Sequence, residues 1–475
     1  MKKTGKFLLI LEIILLCISL AFPVLGTQAP EVEQNTALIT TGSSFGVDAT
    51  HALIHNDDLA QNATSVFLFE YESQTLMYAW NPDVRADPAS MVKIMTALVA
   101  IENCDLDDVA AVTETALATV PYDAVSADLQ VDELITIEEL LYCMMVGSAN
   151  DAASVIAEHI GGSVDAFIQM MNDRAVELGC NDTNFTNPHG IYEEEQYSTA
   201  RDLARILSIA IQNETFATIF GEIVHEVPAT NKSDVRELSS GNFLMNTEQM
   251  PLYFDERATG GRTGVAGDGT RCLAATAESN GMSLVSILIG AESVYEEDGY
   301  TVRSFGGFKE TSALFTAGFD GYKVSQILYP GQSLIQLPVQ NGTSQVVVGP
   351  TESVSAVLPA EISLNDLTFR YEDKAYQLTA PITQGEEIAD VEVWNGNTCI
   401  AKTGVYALNS VPVYAVSTAD ETVNKAVSGR IVTITAVVII GCILVFVIVR
   451  FSSSLRGLFQ KNRSKRYRRS RRRSR

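Results

Sequence analysis

Ser90 and Lys93 stand three residues apart in DPASMVKIMTALVA, residues 87–100. The run after Ser90 is apolar with helical character, so the two side chains should share one helix face a turn apart. A serine hydroxyl is a poor nucleophile at neutral pH and needs a base beside it. A lysine among Met91, Val92, Ile94 and Met95 would be desolvated, which favours its neutral, proton-accepting form. A helix N-terminus also places a positive dipole where an oxyanion would develop. The chemistry suggested is acyl transfer through Ser90 with Lys93 as base. A capping serine and a snorkelling lysine would give the same pattern.

Two further stretches carry suitable groups. GSAND, Gly147–Asp151, joins one apolar helical run to the next. It could present the Ser148 hydroxyl and the Asn150 amide to a cleft, or simply cap a helix. GGRTGVAGDGT, Gly260–Thr270, supplies Arg262, Thr263 and Gly264, then Val265. A guanidinium can pair a carboxylate, and a glycine on a strand allows close backbone approach. Together they suit an extended peptide ending in a carboxylate, or alternatively a turn. A Lys-Thr-Gly triplet at Lys402–Gly404 lies in a late strand-rich region and reads as ordinary strand. The five histidines show no ligand spacing, so neither a metal nor another cofactor is implied.

These groups need elements to hold them. SVFLFEYESQTLMYAWN, residues 65–81, alternates around a polar turn and reads as a hairpin. The patterning predicts helices over residues 90–102, 136–146, 150–162, 163–179 and 198–213. Ser163 is a candidate N-cap and Gly179 a candidate C-cap. After Gly260 two β-rich runs flank Asn280-Gly281, a strong hairpin signal. Residues 301–319 read as a closing helix. Helices in the middle with strands at both ends predict an α/β (α+β) domain with an antiparallel sheet. From about Asp320 to Val416 short strands and Gly, Asn and Pro turns predict a small all-β domain.

The net charge of −25 is unevenly spread. Residues 450–475 hold 12 Lys/Arg and no Asp/Glu, so the body is far more acidic than the total suggests. An acidic body argues against nucleic-acid binding. Residues 1–26 have a basic start, an apolar stretch and small residues near Gly26, the pattern of a secretory signal; an uncleaved anchor is the rival reading. Residues 431–449 carry no charge over a bilayer-spanning length and run into the basic tail. The positive-inside rule then places the tail in the cytoplasm and the body outside. The expected order is signal 1–26, leader 27–62, α/β domain 63–319, β domain 320–416, linker 417–430, transmembrane helix 431–449 and tail 450–475. The cysteines of the exported part, Cys104, Cys143, Cys180, Cys272 and Cys399, are odd in number and irregularly spaced, so no disulfide framework follows; Cys143 reads as a packed free thiol.

The three chemical elements, in this order, resemble the S-x-x-K, S-x-N and K-T-G set of penicillin-binding proteins and class A β-lactamases. The chain is most similar to the low-molecular-mass penicillin-binding proteins, the D-alanyl-D-alanine carboxypeptidases of serine peptidase family S11. PASMVKIMTALVA, VGSANDAA, ELGCNDTNFTNPHGI, YSTARDLARI, RTG…TRCLAATA and LTAPITQGEEIADVEVWNG look like that family's blocks, over roughly Ser65–Ala407. The resemblance implies a penicillin-binding-protein/β-lactamase-like domain 63–319 and a membrane-proximal β domain. It implies that Ser90 is acylated, Lys93 is its base, Ser148 relays a proton and Asn150 holds the substrate amide. Arg262 and Thr263 would receive the terminal carboxylate, and the N–H groups of Ser90 and Val265 would form the oxyanion hole. The implied substrates are peptidoglycan stem peptides, with β-lactams as covalent inhibitors. His189 falls in the family's H-G element without an assigned role.

Two features depart from the family. Its third motif usually begins with Lys, and here Arg262 stands there. Many members rest on an amphipathic C-terminal helix, whereas residues 431–449 look fully transmembrane. Two other functions stay open on these residues. One is a class A-like β-lactamase, with Glu177 and Asn181 spaced as a deacylating pair, although Glu177 falls within a helix. The other is a non-catalytic peptidoglycan-binding protein weakened by Arg262.

Overall fold

The computed structural model describes Phe45 and residues 48–59, 62–298, 302–414, 429–448 and 450. The signal segment, most of the tail and nearly all of the linker lie outside them. The chain forms two compact units. Among the described residues, the first falls within 1–329, 352–370 and 391–403, and the second within 330–351, 371–390 and 404–475.

The first unit is built on a five-stranded antiparallel sheet. Its strands are β1 (Ser65–Glu70), β2 (Thr75–Trp80), β7 (Ala258–Val265), β8 (Arg271–Ser279) and β9 (Met282–Ala291), in the order β2-β1-β9-β8-β7. Short pairs β3 (Val109–Ala111) with β4 (Leu134–Thr136), and β5 (Val224–Val227) with β6 (Arg236–Ser239), lie between them in sequence. The β8–β9 hairpin turns at Asn280 (φ 53°) and Gly281 (φ 73°), the left-handed pair that suits strand twist. β1 differs from the half-buried strand suggested by its pattern, because all six of its residues are buried. Phe67 and Phe69 face one core, and Val66 and Leu68 face the other. The strand is an interior one in a sheet covered on both faces, so Val66 and Leu68 on its second face are apolar too.

On one face pack α1 (Val92–Asn103), α2 (Glu114–Ala118), α3 (Ile137–Met145), α4 (Asn150–Gly161), α5 (Val164–Glu177), α6 (Ala200–Ala210) and α7 (Glu214–Gly221). On the other packs α8 (Phe308–Gly321) through Phe308, Leu314 and Phe315. Ser163 caps α5 by accepting from Ala166 N, and Gly179 follows its end at φ 76°. Thr136 and Thr199 cap α3 and α6 in the same way. The last predicted helix is shorter than its pattern: Val302–Ser304 is strand, and α8 starts only after Gly307. The leader is also more ordered than its polarity implied. Leu53 N and Ile54 N donate to the Leu76 and Met77 carbonyls of β2, and Ile54 is buried.

From Tyr322 to Tyr414 the described residues form strands, turns and short 3-10 segments. Tyr322–Leu328 pairs with Val354–Pro359. In the second unit Ile335–Leu337 pairs with Val346–Gly349, and Val348 and Gly349 pair with Ala407 and Tyr406. Lys402 to Gly404 lie within the strand Thr398–Ala407, as read from sequence. A helix over Gly429–Ile448, mean hydropathy 3.2, is long and apolar enough to cross a membrane.

Candidate active site

Ser90 sits in a 3-10 turn, Ala89–Met91, immediately ahead of α1 rather than on the α-helix itself. Ala89 has φ 48° and Ser148 has φ 61°. A residue with a Cβ rarely adopts this region, at a cost on the order of 1 kcal/mol or more each. Asp87 holds the turn by accepting from Ala89 N (2.9 Å) and from Gly267 N (2.8 Å) beyond β7. Two glycines make room for it. A Cβ on Gly190 would lie 2.0 Å from the Ala89 carbonyl oxygen, and one on Gly264 would lie 2.7 Å from Ser90 N. The close approach expected at Gly264 is therefore to the chain's own Ser90 turn.

Lys93, in the first turn of α1, is completely buried. Its Nζ donates to Asn150 Oδ1 (2.7 Å) and to the His189 carbonyl (2.6 Å), and lies 3.3 Å from Ser90 Oγ. Burial, reinforced by the nearby Arg262 charge, holds its pKa well below the usual 10.5, with Asp151 opposing. A neutral amine has two N–H bonds and one lone pair. In that form the two short bonds would use the N–H groups and leave the lone pair toward Ser90 Oγ. Asn150 is itself held, because its backbone N and its Nδ2 both donate to the Val125 carbonyl at 2.9 Å.

The residue 125–129 loop is anchored by Asp151, whose carboxylate accepts from Ser126 Oγ, Ala127 N and Leu129 N. His189 is buried and neutral, its pKa pushed down to about 3 by burial and by Lys93. Asn187 Oδ1 accepts from Gly190 N and closes the turn that presents the His189 carbonyl. Thr96 of α1 donates to the Pro188 carbonyl at 2.6 Å and ties that turn to the helix.

Arg262 lies on β7, the edge strand, and is 4% exposed. Nη2 donates to Ser148 Oγ (2.7 Å), Nη1 to the Met145 carbonyl (3.0 Å) and Nε to the Ser90 carbonyl (3.4 Å). No carboxylate of a described residue pairs with it. Burial lowers its pKa to about 10, so it stays charged at neutral pH. Thr263 and Val265 continue the edge strand, half-buried and exposed respectively. The site thus joins Ser90, Lys93, Ser148, Asn150 and Arg262 in one hydrogen-bonded chain, with Gly264 packed on the Ser90 turn and Thr263 and Val265 beside them on β7.

The sequence profile of the D-alanyl-D-alanine carboxypeptidase family matches residues 52–293, half of the chain. The chain belongs to the D-alanyl-D-alanine carboxypeptidase family. It is therefore a serine hydrolase of family S11. A second profile, for the C-terminal domain of penicillin-binding protein 5, matches residues 322–413. D-alanyl-D-alanine carboxypeptidase DacF of Bacillus subtilis is 27% identical over 74% of this chain and 86% of its own length. DacC of Escherichia coli is 27% identical over 70% and 80%. The structure of penicillin-binding protein 5 from Haemophilus influenzae superposes with a TM-score of 0.59 at 27% identity, covering 74% of this chain and 98% of that one.

The β-lactamase-like pair does not join this site. Glu177 ends α5 on the exposed face, ion-paired with Arg174, and Asn181 Nδ2 donates to the Gly179 carbonyl. Sequence reasoning missed the groups that orient the carboxypeptidase residues: Asp87, Asp151, Asn187 and the carbonyls of Val125, Met145 and His189. Backbone carbonyls carry no residue-type signal. Asp151, directly after Asn150 in GSAND, was the one visible cue.

Proposed function

We propose that this family member is a membrane-anchored D-Ala-D-Ala carboxypeptidase that trims peptidoglycan stem peptides through an acyl-enzyme on Ser90. The observation that carries the assignment of roles is the pairing of Ser90 with a fully buried Lys93 whose pKa is held well below its usual value. Lys93 Nζ takes the Ser90 hydroxyl proton as Oγ attacks the carbonyl carbon of the penultimate D-alanine. The backbone N–H groups of Ser90 and Val265 receive the oxyanion. The peptide C–N bond breaks, and the departing D-alanine nitrogen takes a proton through Ser148. Water then releases the acyl group. The substrate lies along the free edge of β7, and its terminal carboxylate supplies the counter-charge that buried Arg262 lacks among the described residues. Thr263 assists there, and the second Nδ2 hydrogen of Asn150 is available to the substrate amide.

β-Lactams acylate the same serine. Residues 431–449 anchor the chain, with the catalytic unit outside and tail 450–475 in the cytoplasm; residues 1–26 direct export. The boundaries 63–319 and 320–416 remain our division of the exported part. Labelling the full-length protein with a fluorescent penicillin, mapping the adduct, and measuring D-alanine release from a stem-peptide analogue test this reading. An adduct elsewhere than Ser90, or no release of D-alanine, overturns it.

A further inference from the structure

Cys104, Asp108 and His159 come together away from the active site. One ligand atom from each lies within 4.8 Å of the other two. Cys104 Sγ donates to Asp108 Oδ2 at 3.4 Å, so two of the three are already turned toward each other. Cys104 is half-buried, while Asp108 and His159 are exposed. They come from three places. Cys104 is the C-cap of α1, His159 lies in the last turn of α4, and Asp108 ends the intervening CDLDD loop. That loop is fixed by backbone bonds: Asp108 N donates to the Asp105 carbonyl, and Ile137 N and Glu138 N donate to the Asp108 and Leu106 carbonyls.

We propose that Cys104, Asp108 and His159 form a site for a divalent metal of the zinc class. Sulfur, imidazole and carboxylate together suit zinc, with water as the fourth ligand. Zinc bond lengths give a tetrahedral ligand–ligand edge of about 3.6 Å, so the exposed His159 side chain needs only a small rotation to close on the other two. The field is also favourable. The C-terminal ends of α1 and α4 converge here, each carrying partial negative charge, and Asp105 adds to it. On binding, the Cys104 S–H bond breaks, its proton passes to solvent and the sulfur lone pair bonds the metal. The bound ion clips the end of the helix that carries Lys93 to the end of the helix that carries Asn150. Sequence spacing hid the site because His159 is far along the chain from the Cys-x-x-x-Asp pair.

The test uses the full-length protein in detergent, stripped with a chelator and titrated with Co²⁺. One equivalent should bind, with near-ultraviolet thiolate-to-cobalt absorption and the strong visible bands of four-coordinate cobalt; Zn²⁺ should displace it. Zn²⁺ should also raise the melting temperature of the wild type. Cys104→Ser should abolish both the near-ultraviolet band and the zinc-dependent rise. His159→Gln and Asp108→Asn should weaken Co²⁺ binding by at least about tenfold, the smallest loss typical of even a supporting partner. A melting transition in chelator verifies that each variant is folded. Absence of cobalt bands in the wild type overturns the proposal, as does an unchanged spectrum in Cys104→Ser or unchanged affinity in His159→Gln. Penicillin acylation of Ser90 is measured separately, so failure of the metal site and failure of the acyl-enzyme reading are distinguishable.

Discussion

Lys93 Nζ lies 2.7 Å from Asn150 Oδ1, and this bond makes Asn150 a positioning residue for the proposed base. With the His189 carbonyl at 2.6 Å it consumes both N–H groups of a neutral amine. In that form the lone pair would face Ser90 Oγ, 3.3 Å away. Lys93→Ala should therefore slow acylation by penicillin at least about a hundredfold, the usual loss for a missing general base. Stopped-flow or timed gel labelling measures it, and wild-type rates in the variant would make Lys93 purely structural.

Ser90→Ala should eliminate covalent labelling and leave the fold intact. The hydroxyl does not cap α1, and its contact is with Lys93. Losing one such contact is worth about 1 kcal/mol. A thermal melt alongside mass spectrometry checks both halves, and a persistent adduct on the variant would remove Ser90 from its role.

Gly190→Ala should damage catalysis without removing a polar group of the site. Its new Cβ would collide with the Ala89 carbonyl and push the Ser90 turn aside. Misplacing a nucleophile by about 1 Å can cost on the order of a hundredfold in rate. Gly162→Ala is the control: it has the same left-handed backbone (φ 73°), but nothing lies within 4 Å of the added atom. Acylation should fall in the first variant and hold in the second. Equal rates in both would show that the turn tolerates displacement.

Much of this arrangement was legible before any coordinates, for local reasons. The i, i+3 spacing of Ser90 and Lys93, the apolar neighbours that desolvate the lysine, the caps at Ser163 and Gly179, and the Asn280-Gly281 turn all act within a few residues. The misses share a different cause. Val125, Met145 and His189 act through carbonyls, which every residue type has. The two-sided burial of β1 depends on α8 covering the second face, and Ile54 is buried by docking on β2. Sequence also does not show that Ser148, Met145 and Ser90 accept from Arg262. Two of its five N–H groups stay available for a carboxylate.

Arg262 allows the sharpest test, because its charge acts on Lys93 and, in the proposed function, on the substrate carboxylate as well. Its positive charge helps hold the Lys93 pKa down. Replacing it with alanine removes that repulsion, so the Lys93 pKa rises. A base with a higher pKa is protonated, and lost, at higher pH as the solution is acidified. The acid limb of the acylation profile should therefore move to higher pH in Arg262→Ala. The variant should also lose activity on peptides with a free C-terminus far more than on amidated analogues, by about 2–5 kcal/mol for an unpaired buried charge. Arg262→Lys keeps a cation at neutral pH and should keep or raise D-alanine release. Its alkaline limb should differ, however. Arginine is buried here with a pKa of about 10, down from 12.5. Lysine starts near 10.4, and the same burial would push it lower. The lysine variant should thus lose its cation, and its carboxypeptidase activity, at a lower pH than the wild type. Profiles of kcat/KM against pH for the wild type and both variants decide the matter. An unmoved acid limb in Arg262→Ala would show that Arg262 does not tune Lys93. Equal losses on free and amidated peptides would show that it does not bind the carboxylate.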